Sequence, residues 1–333
     1  MKPTILIRAY GSHLMGMGHL YRIRKLVEFL SRVIDAEITF LTQAFEESRD
    51  IYQCFDVDEL YQMPKGISES KEIEYIEGNL KDTYTLIIND QLKSSEKIAE
   101  YLVTKANKVL AIDDTGLGAV HYHNLINVLY GNTPLLPREK NEFKYLILAD
   151  YQEVKDRYQI SKPVSSVFIN QGAADTWGGI PDIIRDLESL PYKITLKVLL
   201  GPAYKHFSEL TSVLANTTHR IELFNHTDDV LSIAAECDVA ILGAGNTMFE
   251  ALSIGMPVIA CTREEKELIT IRRLVDERLI HGKLALFHNY AISESLQRLE
   301  IDYDERKRLF ELNRRVFSYR GLDLIIKEIE GML

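Results

Sequence analysis

Residues 5–22, ILIRAYGSHLMGMGHLYR, decide the fold of the first half of the chain. An apolar run ends at Arg8, a loop of small residues follows, and a helical pattern begins near His19. This order of strand, glycine-rich loop and helix is typical of open α/β sheets, in which ligands bind beyond the carboxyl ends of the strands. The glycines let the backbone approach a ligand closely, because no Cβ stands in the way.

The histidine at the start of this helix is the first candidate for chemistry. His19 falls where free N–H groups and the positive end of the helix dipole favour anions. A titratable imidazole facing an anion site predicts acid–base chemistry on a phosphorylated or nucleotide-linked substrate. His13, in the same loop, is a rival for that role. The pattern also fits an ordinary βα turn whose histidine only caps the helix.

The bulk composition describes an acidic globular protein. The chain has 333 residues and a net charge of −10, and this length favours two domains over one. The acidic balance argues against a nucleic-acid partner, which needs a basic surface. No apolar run approaches the roughly 18 residues that span a bilayer, so we expect no stable membrane insertion. The oligomeric state stays open.

The three cysteines, Cys54, Cys237 and Cys261, form no pair with the spacing of a zinc site or a disulfide framework. Because the sequence also starts directly with a strand pattern and shows no signal peptide, we expect a cytoplasmic protein. The composition therefore predicts neither a structural metal nor a bound cofactor.

Strand and helix patterns alternate along the rest of the chain, which predicts parallel sheets with right-handed crossovers. In the first half, strands are predicted at 36–41, 84–88, 108–112, 125–129 and 144–148. The pattern restarts after a polar segment at 158–166. We therefore predict an N-terminal Rossmann-like domain at 1–157, which carries the catalytic loop. A C-terminal nucleotide-binding domain is predicted at 164–333, with its last helix a candidate to pack back on the first domain.

A second glycine-rich loop, GAGNT, follows a strand in the second half and begins at Gly243. Gly243 and Gly245 leave the N–H groups of Asn246 and Thr247 accessible to a diphosphate, and the Thr247 hydroxyl is a further donor. Glu250 lies one turn inside the following helix, where a carboxylate accepts both hydroxyls of a ribose. The alternative is a plain βα unit with a glycine at the helix end.

Several short motifs are spread over nearly the whole chain. They are Arg8-Ala9, Gly16-x-Gly18-His19-x-x-Arg22, Asp113-Asp114 with His121 and Asn127, Gly172-x-x-Asp175, Gly243-Ala244-Gly245-x-Thr247-x-x-Glu250, Gly255-x-Pro257 and Gly321. With these motifs the chain resembles the UDP-sugar hydrolases of pseudaminic acid biosynthesis and their spore-coat-polysaccharide relatives. That family shares the GT-B architecture of the MurG-type glycosyltransferases.

The resemblance implies a fold, a reaction and a set of residues. The fold is GT-B-like α/β, with two Rossmann-like, doubly wound domains facing across a cleft. The reaction is metal-independent, inverting hydrolysis of a UDP-linked amino or deoxy sugar, in nonulosonic-acid or surface-polysaccharide biosynthesis. His19 is the implied catalytic base. The implied substrate-binding residues are Arg8, Gly16, Gly18, Arg22, Gly172, Asp175, Gly243, Gly245, Asn246, Thr247 and Glu250.

The chain departs from the family pattern at several positions. Tyr10 stands where the family usually has an aspartate, Ala173 replaces a glycine, and Asn246 replaces a serine. The segment 262–267, TREEKE, stands where the family usually has an Asn-Gln pair near the substrate. We therefore expect a divergent member that acts on another nucleotide sugar.

Two other functions remain compatible with the sequence. A GT-B glycosyltransferase would use the same donor site with a sugar or lipid acceptor in place of water. A nucleotide-binding module would keep the second loop and lack catalysis. At the residue level, Arg22 is either a phosphate ligand or a surface charge of its helix. For Asp113 and Asp114 we expect a structural role with His121 rather than a metal site.

Overall fold

The computed structural model describes residues 2–12, 18–129, 136–149, 151–225, 227, 229–262, 265–281, 285–286 and 292–333. Gly16, His13 and part of the 262–267 segment lie outside these residues. Two compact units are present, Met1–Ile147 with Arg320–Leu333, and Leu148–Tyr319. This division differs from the sequence-based limits at residues 148–157, which cluster with the second unit. The last segment, a candidate to pack back on the first domain, clusters with the first unit.

The first unit contains a parallel sheet of six strands. The strands are β1 (Thr4–Ala9), β2 (Glu37–Gln43), β3 (Glu59–Met63), β4 (Tyr84–Asp90), β5 (Ala106–Ile112) and β6 (Asn124–Ile126), and the helices between them are α1 (Gly18–Val33), α2 (Arg49–Tyr52), α3 (Glu69–Asn79) and α4 (Glu96–Thr104). Every residue of β1 after Thr4 is buried. A strand that is covered on both faces reads as a continuous apolar run, which is why the sequence gives a clear signal here.

The strand order of this sheet is β3-β2-β1-β4-β5-β6. The chain builds outward from β1 through β2 and β3, then returns to place β4 on the other side of β1. The switch point of the sheet therefore lies between β1 and β4, where open α/β sheets bind their ligands. The register places Arg8 opposite Asn89 and Ala9 opposite Asp90 at the carboxyl ends of these two strands.

The second unit repeats this topology. Its strands are β7 (Ser166–Asn170), β8 (Thr195–Leu199), β9 (Arg220–Phe224), β10 (Val239–Leu242), β11 (Val258–Thr262) and β12 (Ala285–Leu286). Its helices are α5 (Gln152–Arg157), α6 (Gly179–Leu187), α7 (Phe207–Leu214), α8 (Val230–Ala234), α9 (Asn246–Ser253), α10 (Glu265–Asp276), α11 (Ile292–Ile301) and α12 (Tyr303–Val316). The order β12-β11-β10-β7-β8-β9 puts the switch point between β7 and β10.

The predicted strand at 144–148 is wrong. The structure has a short 3₁₀ turn at Phe143–Tyr145, and the apolar residues that follow belong to no strand. The last helix, α13 (Gly321–Glu330), packs on this turn. Gly321 brings the helix so close to the carbonyl of Leu146 that a Cβ would clash with it. These buried residues are apolar because a helix packs on them. In the local sequence, such a short apolar run cannot be told apart from a buried strand.

Gly255 ends the turn after α9 in a conformation that only glycine adopts easily. Its φ is +86°, and a Cβ there would lie 2.8 Å from Phe310 Cδ2 and 2.9 Å from the Phe310 carbonyl oxygen. A glycine in the left-handed region is a common helix end. Here it also lets α12 approach α9.

We predict that Gly255→Ala lowers the free energy of unfolding by at least about 2 kcal/mol, because it adds both backbone strain and a steric clash. Gly78→Ala is the matched control, since Gly78 lies within α3 and a Cβ there would meet nothing within 4 Å. The control should gain about 0.5–1 kcal/mol. Urea unfolding measures the free energy of unfolding of both variants. Equal changes in the two would contradict the conclusion that the backbone and packing at position 255 require glycine.

Candidate functional site

The carboxyl edge of the first sheet carries a buried group of charged side chains. His19 and Arg22 lie at the start of α1, Asp90 ends β4, and Asp113 follows β5. The exposed fraction is 0% for Asp90, 2% for Asp113 and 8% for Arg22. Buried charges are costly unless they are paired and hydrogen-bonded. The contacts within this group therefore decide its chemistry.

The carboxylate of Asp90 contacts both Arg22 and His19. Arg22 donates from Nε to Asp90 Oδ2 at 2.8 Å and from Nη2 to Oδ1 at 2.5 Å. This is the two-pronged geometry in which an arginine binds a carboxylate most strongly. Nδ1 of His19 lies 2.5 Å from Asp90 Oδ1. The remaining guanidinium nitrogen, Nη1, donates to Asp113.

The charges around Asp90 keep it ionised. Burial alone would raise the pKa of this carboxyl, but the Arg22 guanidinium and the His19 ring outweigh burial and hold the pKa of Asp90 below its ordinary value. The pKa of Arg22 is raised: burial acts to lower it, but the Asp90 and Asp113 carboxylates outweigh burial. The ion pair is therefore present over the whole physiological pH range.

The contact with Asp90 also sets the orientation of the His19 ring. A carboxylate only accepts, so Nδ1 carries the hydrogen and the neutral ring has its lone pair on Nε2; this tautomer is assigned from the contact. The His19 side chain is 15% exposed. A histidine held in this way by an aspartate is suited to take a proton from water or a hydroxyl group.

A second buried ion pair lies at the same edge. Arg8 donates from Nε to Glu72 Oε1 at 2.6 Å and from Nη1 to Asn89 Oδ1 at 2.6 Å. The Tyr10 hydroxyl donates to Glu72, and the Arg8 guanidinium carbon lies 4.7 Å from the centre of the Tyr10 ring. Arg8 and Arg22 are thus both paired with carboxylates of the protein. Their predicted role as substrate ligands stays a prediction.

The two aspartates after β5 bind loop backbone in different directions. Asp113 Oδ1 accepts from the N–H groups of Val128 at 2.7 Å and Leu129 at 2.9 Å. Asp114 Oδ1 accepts from the N–H groups of Ser94 and Gly116, both at 2.9 Å. These bonds agree with a structural role.

The partner expected for the two aspartates is not the one observed. His121 Nε2 lies 3.9 Å from Glu100 Oε1 on α4 rather than beside the aspartates. Within the part of the chain that the structure describes, no cluster of three or more His, Cys, Asp or Glu residues is arranged to hold a metal ion.

The second glycine-rich loop lies at the switch point of the second sheet. Gly245 precedes α9, which begins without a side-chain cap, and its φ of −97° is ordinary for any residue. A Cβ on Gly245 would meet nothing within 4 Å. Neither backbone strain nor packing therefore requires a glycine here. Its effect is to leave the N–H groups at the helix start approachable, as an anion site needs.

The other predicted residues of the second unit lie around this loop. Asn246 and Thr247 are half-buried in the first turn of α9, and Glu250 is 8% exposed one turn further on. Asp175 accepts from the N–H groups of Gly179 at 2.6 Å and Ile180 at 3.0 Å, so it caps α6.

Gly172 follows β7 in the neighbouring loop, with a φ of +77°. Asn170, which ends β7, lies opposite Leu242 at the end of β10. The structure thus brings the Gly172 loop and the Gly243 loop to adjacent strands. The substrate contacts assigned to both loops stay predictions.

Two residues at the carboxyl edge of the first sheet, Asp90 and Glu72, are absent from the site residues predicted from the sequence. The signal for Asp90 was present, because an Asn-Asp pair ends an apolar strand at 84–88 and polar residues at that position face the ligand edge. Glu72 gave no such signal, since it lies in a charged helix that reads as a solvent-exposed surface. Gly18 is the first residue of α1 and is exposed.

No protein-family model matches the chain. An uncharacterized protein of Methanocaldococcus jannaschii is 25% identical over 285 residues, which cover 78% of this chain and 56% of that protein. The chain thus spans about half the length of that relative. The spore coat polysaccharide biosynthesis protein SpsG of Bacillus subtilis is 22% identical over 330 residues, covering 95% of this chain and 94% of that protein.

Solved structures resemble the chain over almost its full length. MurG of Acinetobacter baumannii superposes with a TM-score of 0.73 at 11% identity, covering 99% of each chain. The UDP-GlcNAc 2-epimerase of Neisseria meningitidis, solved with UDP-GlcNAc bound, gives a TM-score of 0.63 at 12% identity, covering 98% of this chain and 100% of that one. Together with the two parallel-sheet units, these similarities confirm the predicted GT-B fold. None of the described helices has the length and apolar character that crossing a membrane requires.

The lowered pKa of Asp90 predicts how stability depends on pH. Its folded pKa lies below the ordinary value of 3.8, so its contribution is present at neutral pH and is lost as the pH falls through the folded pKa. In Asp90→Asn the unfolding free energy should be lower at pH 7, and it should change less than in the unaltered protein as the pH falls below 3.8. Asp35→Asn, whose side chain is 92% exposed, is the control. An unchanged pH dependence in Asp90→Asn would contradict the ion-pair assignment.

Proposed function

We propose that the protein hydrolyses the anomeric C–O bond of a UDP-linked amino or deoxy sugar, without a metal and with inversion, releasing UDP and the free sugar. The observation that carries the proposal is the His19 ring, held by Asp90 at the switch point of the first sheet with part of its surface exposed. The similarity to a spore coat polysaccharide biosynthesis protein supports a place in surface-polysaccharide or nonulosonic-acid synthesis. We expect such an enzyme to work in the cytoplasm.

His19 is the proposed base. Its Nε2 takes a proton from water, the water oxygen bonds to the anomeric carbon, and the bond from that carbon to the diphosphate oxygen breaks with its electron pair leaving on UDP. The imidazolium that forms is stabilised by the adjacent carboxylate of Asp90. General-base catalysis of this kind is typically worth about 10²–10⁴-fold in rate.

The second unit is the proposed nucleotide site. The N–H groups at the start of α9, with Asn246 and Thr247, stabilise the charge that develops on the leaving diphosphate. Because a nucleoside diphosphate already leaves readily, the mechanism needs no strong acid. Glu250 is assigned to the ribose hydroxyls. Gly18, Gly172 and Asp175 are assigned to substrate contacts from the family resemblance.

A glycosyltransferase is the second candidate, because solved glycosyltransferases such as MurG share the fold. The same base would then deprotonate an acceptor hydroxyl instead of water. The two candidates differ in whether UDP is released when only the nucleotide sugar and water are present.

The first experiment incubates the protein with a panel of UDP-sugars in H₂¹⁸O without an acceptor. We expect UDP release and one ¹⁸O atom in the free sugar. His19→Gln should reduce turnover about 10²-fold or more while leaving UDP affinity unchanged. Tyr21→Phe, on the same helical turn with a 41% exposed side chain, is the control.

The outcome of this experiment distinguishes a hydrolase from a transferase and from a binding module. UDP release that requires an added acceptor would replace the hydrolase by a transferase. UDP binding without turnover under either condition would identify a binding module. Equal turnover in His19→Gln would remove His19 from the mechanism.

The ribose assignment has its own test. Glu250→Gln should weaken UDP binding about tenfold, equivalent to about 1.4 kcal/mol, and should abolish the preference for UDP over 2′-deoxy-UDP. Glu209→Gln, an exposed acidic residue in the first turn of α7, is the matched control. Calorimetric titration measures all three proteins. A preference for UDP that survives in Glu250→Gln would show that the assignment is wrong.

A further inference from the structure

The guanidinium nitrogens of Arg22 all bind carboxylates of the protein. We propose that Arg22 is a positioning residue for proton transfer, not a phosphate ligand: it holds the Asp90 carboxylate in place and offsets its charge, so that the His19 ring remains available as a base near neutral pH. The inference rests on the proposed function, since it concerns the same base.

The guanidinium of Arg22 is engaged by groups of the protein itself. Nε and Nη2 donate to the two oxygens of Asp90, and Nη1 donates to Asp113. Each of the three nitrogens therefore has a carboxylate partner within the protein. Three of the five N–H groups of the guanidinium are thus committed to carboxylates, and with 8% of the residue exposed little of the group is accessible to a phosphate.

Asp90 and Arg22 have opposite electrostatic effects on the His19 ring. An ionised carboxylate 2.5 Å from Nδ1 of His19 favours the imidazolium form. Arg22 opposes this, because its Nη2 binds the same carboxylate oxygen and lies 3.3 Å from His19 Nδ1. A positive charge so close to the ring disfavours a second positive charge on it. The two contacts therefore act on the ring in opposite directions.

The charged groups around the ring come from three elements of the described structure. Arg22 lies on α1, Asp90 ends β4, and Asp113 follows β5. In the other ion pair at this edge, Arg8 binds Glu72. Arg8 also donates a hydrogen bond to Asn89 on β4. The His19 ring thus contacts one negative charge, on Asp90, and lies 3.3 Å from one positive charge, on Arg22, whose other carboxylate partner is Asp113.

Asp113, the second carboxylate partner of Arg22, is itself held in place by the backbone. This residue adopts a φ of +51°, which is uncommon outside glycine. Its Oδ1 accepts two backbone N–H groups, from Val128 and Leu129, and the carboxylate also accepts Nη1 of Arg22. A strained backbone conformation persists where the surroundings determine it and is common at functional sites. The arginine is therefore fixed by the end of β5 and the loop after β6.

The test compares Arg22→Gln and Arg22→Lys with the unaltered protein by ¹⁵N NMR titration of the His19 ring, with its signals assigned from His19→Gln. In Arg22→Gln the titration midpoint of the ring should move to higher pH by about one unit or more. The acidic limb of the kcat/KM profile should move in the same direction. Arg22→Lys keeps the charge and should retain most of the midpoint while lowering kcat. UDP affinity should stay within about twofold in both.

Arg24→Gln is the matched control, since Arg24 lies on the exposed face of the same helix, paired with Glu28. If Arg22→Gln does not fold because two carboxylates lose their partner, the double variant Arg22→Gln/Asp113→Asn removes one of those charges and is titrated instead. Its midpoint should still exceed that of the unaltered protein.

An unchanged midpoint would overturn the proposal, and a tenfold loss of UDP affinity alongside it would restore the phosphate-ligand role. The NMR titration needs no substrate. If the unaltered protein shows no hydrolysis, the proposed function fails while the role of Arg22 is still decided.

Discussion

The shared carboxylate of Asp90 is the contact on which the first unit's candidate chemistry depends. Asp90 is fully buried, and it accepts from Arg22 with both oxygens and from His19 with one. A buried carboxylate without partners would neutralise itself by taking up a proton. Because Arg22 prevents this, the carboxylate stays ionised and can orient the imidazole. The charge pair is thus a condition for the proposed base as well as a contribution to the stability of the unit.

The topology of the two sheets explains why these residues meet. In each sheet the chain leaves the first strand in one direction and returns on its other side, so that in each unit a glycine-rich loop follows a strand bordering the switch point. In the first unit this brings the start of α1 to the end of β4. In the second it brings the loop after β10 beside the loop after β7. The same arrangement therefore places the proposed base in one unit and the proposed diphosphate-binding loop in the other.

The sequence predicted the features that are encoded locally. Apolar strands, glycine-rich turns and a histidine at a helix start are all readable within a short window, and so two α/β units with parallel sheets could be predicted. The GT-B fold followed from the family resemblance of the motifs. The partners of these residues could not, because Asp90 is 71 residues from His19 and Glu72 is 64 residues from Arg8. Two arginines at a ligand edge suggested phosphate binding. Only the structure shows that each is paired with a buried carboxylate.

The most direct test of the proposed base is to find which nitrogen of the His19 ring carries the hydrogen. A long-range ¹H–¹⁵N NMR spectrum of the resting protein near pH 7 distinguishes the two neutral tautomers and the imidazolium. The account predicts a neutral ring with its hydrogen on Nδ1, facing Asp90, and an unprotonated Nε2. A hydrogen on Nε2 of the neutral ring would contradict it, because the nitrogen assigned to accept the proton would already carry one.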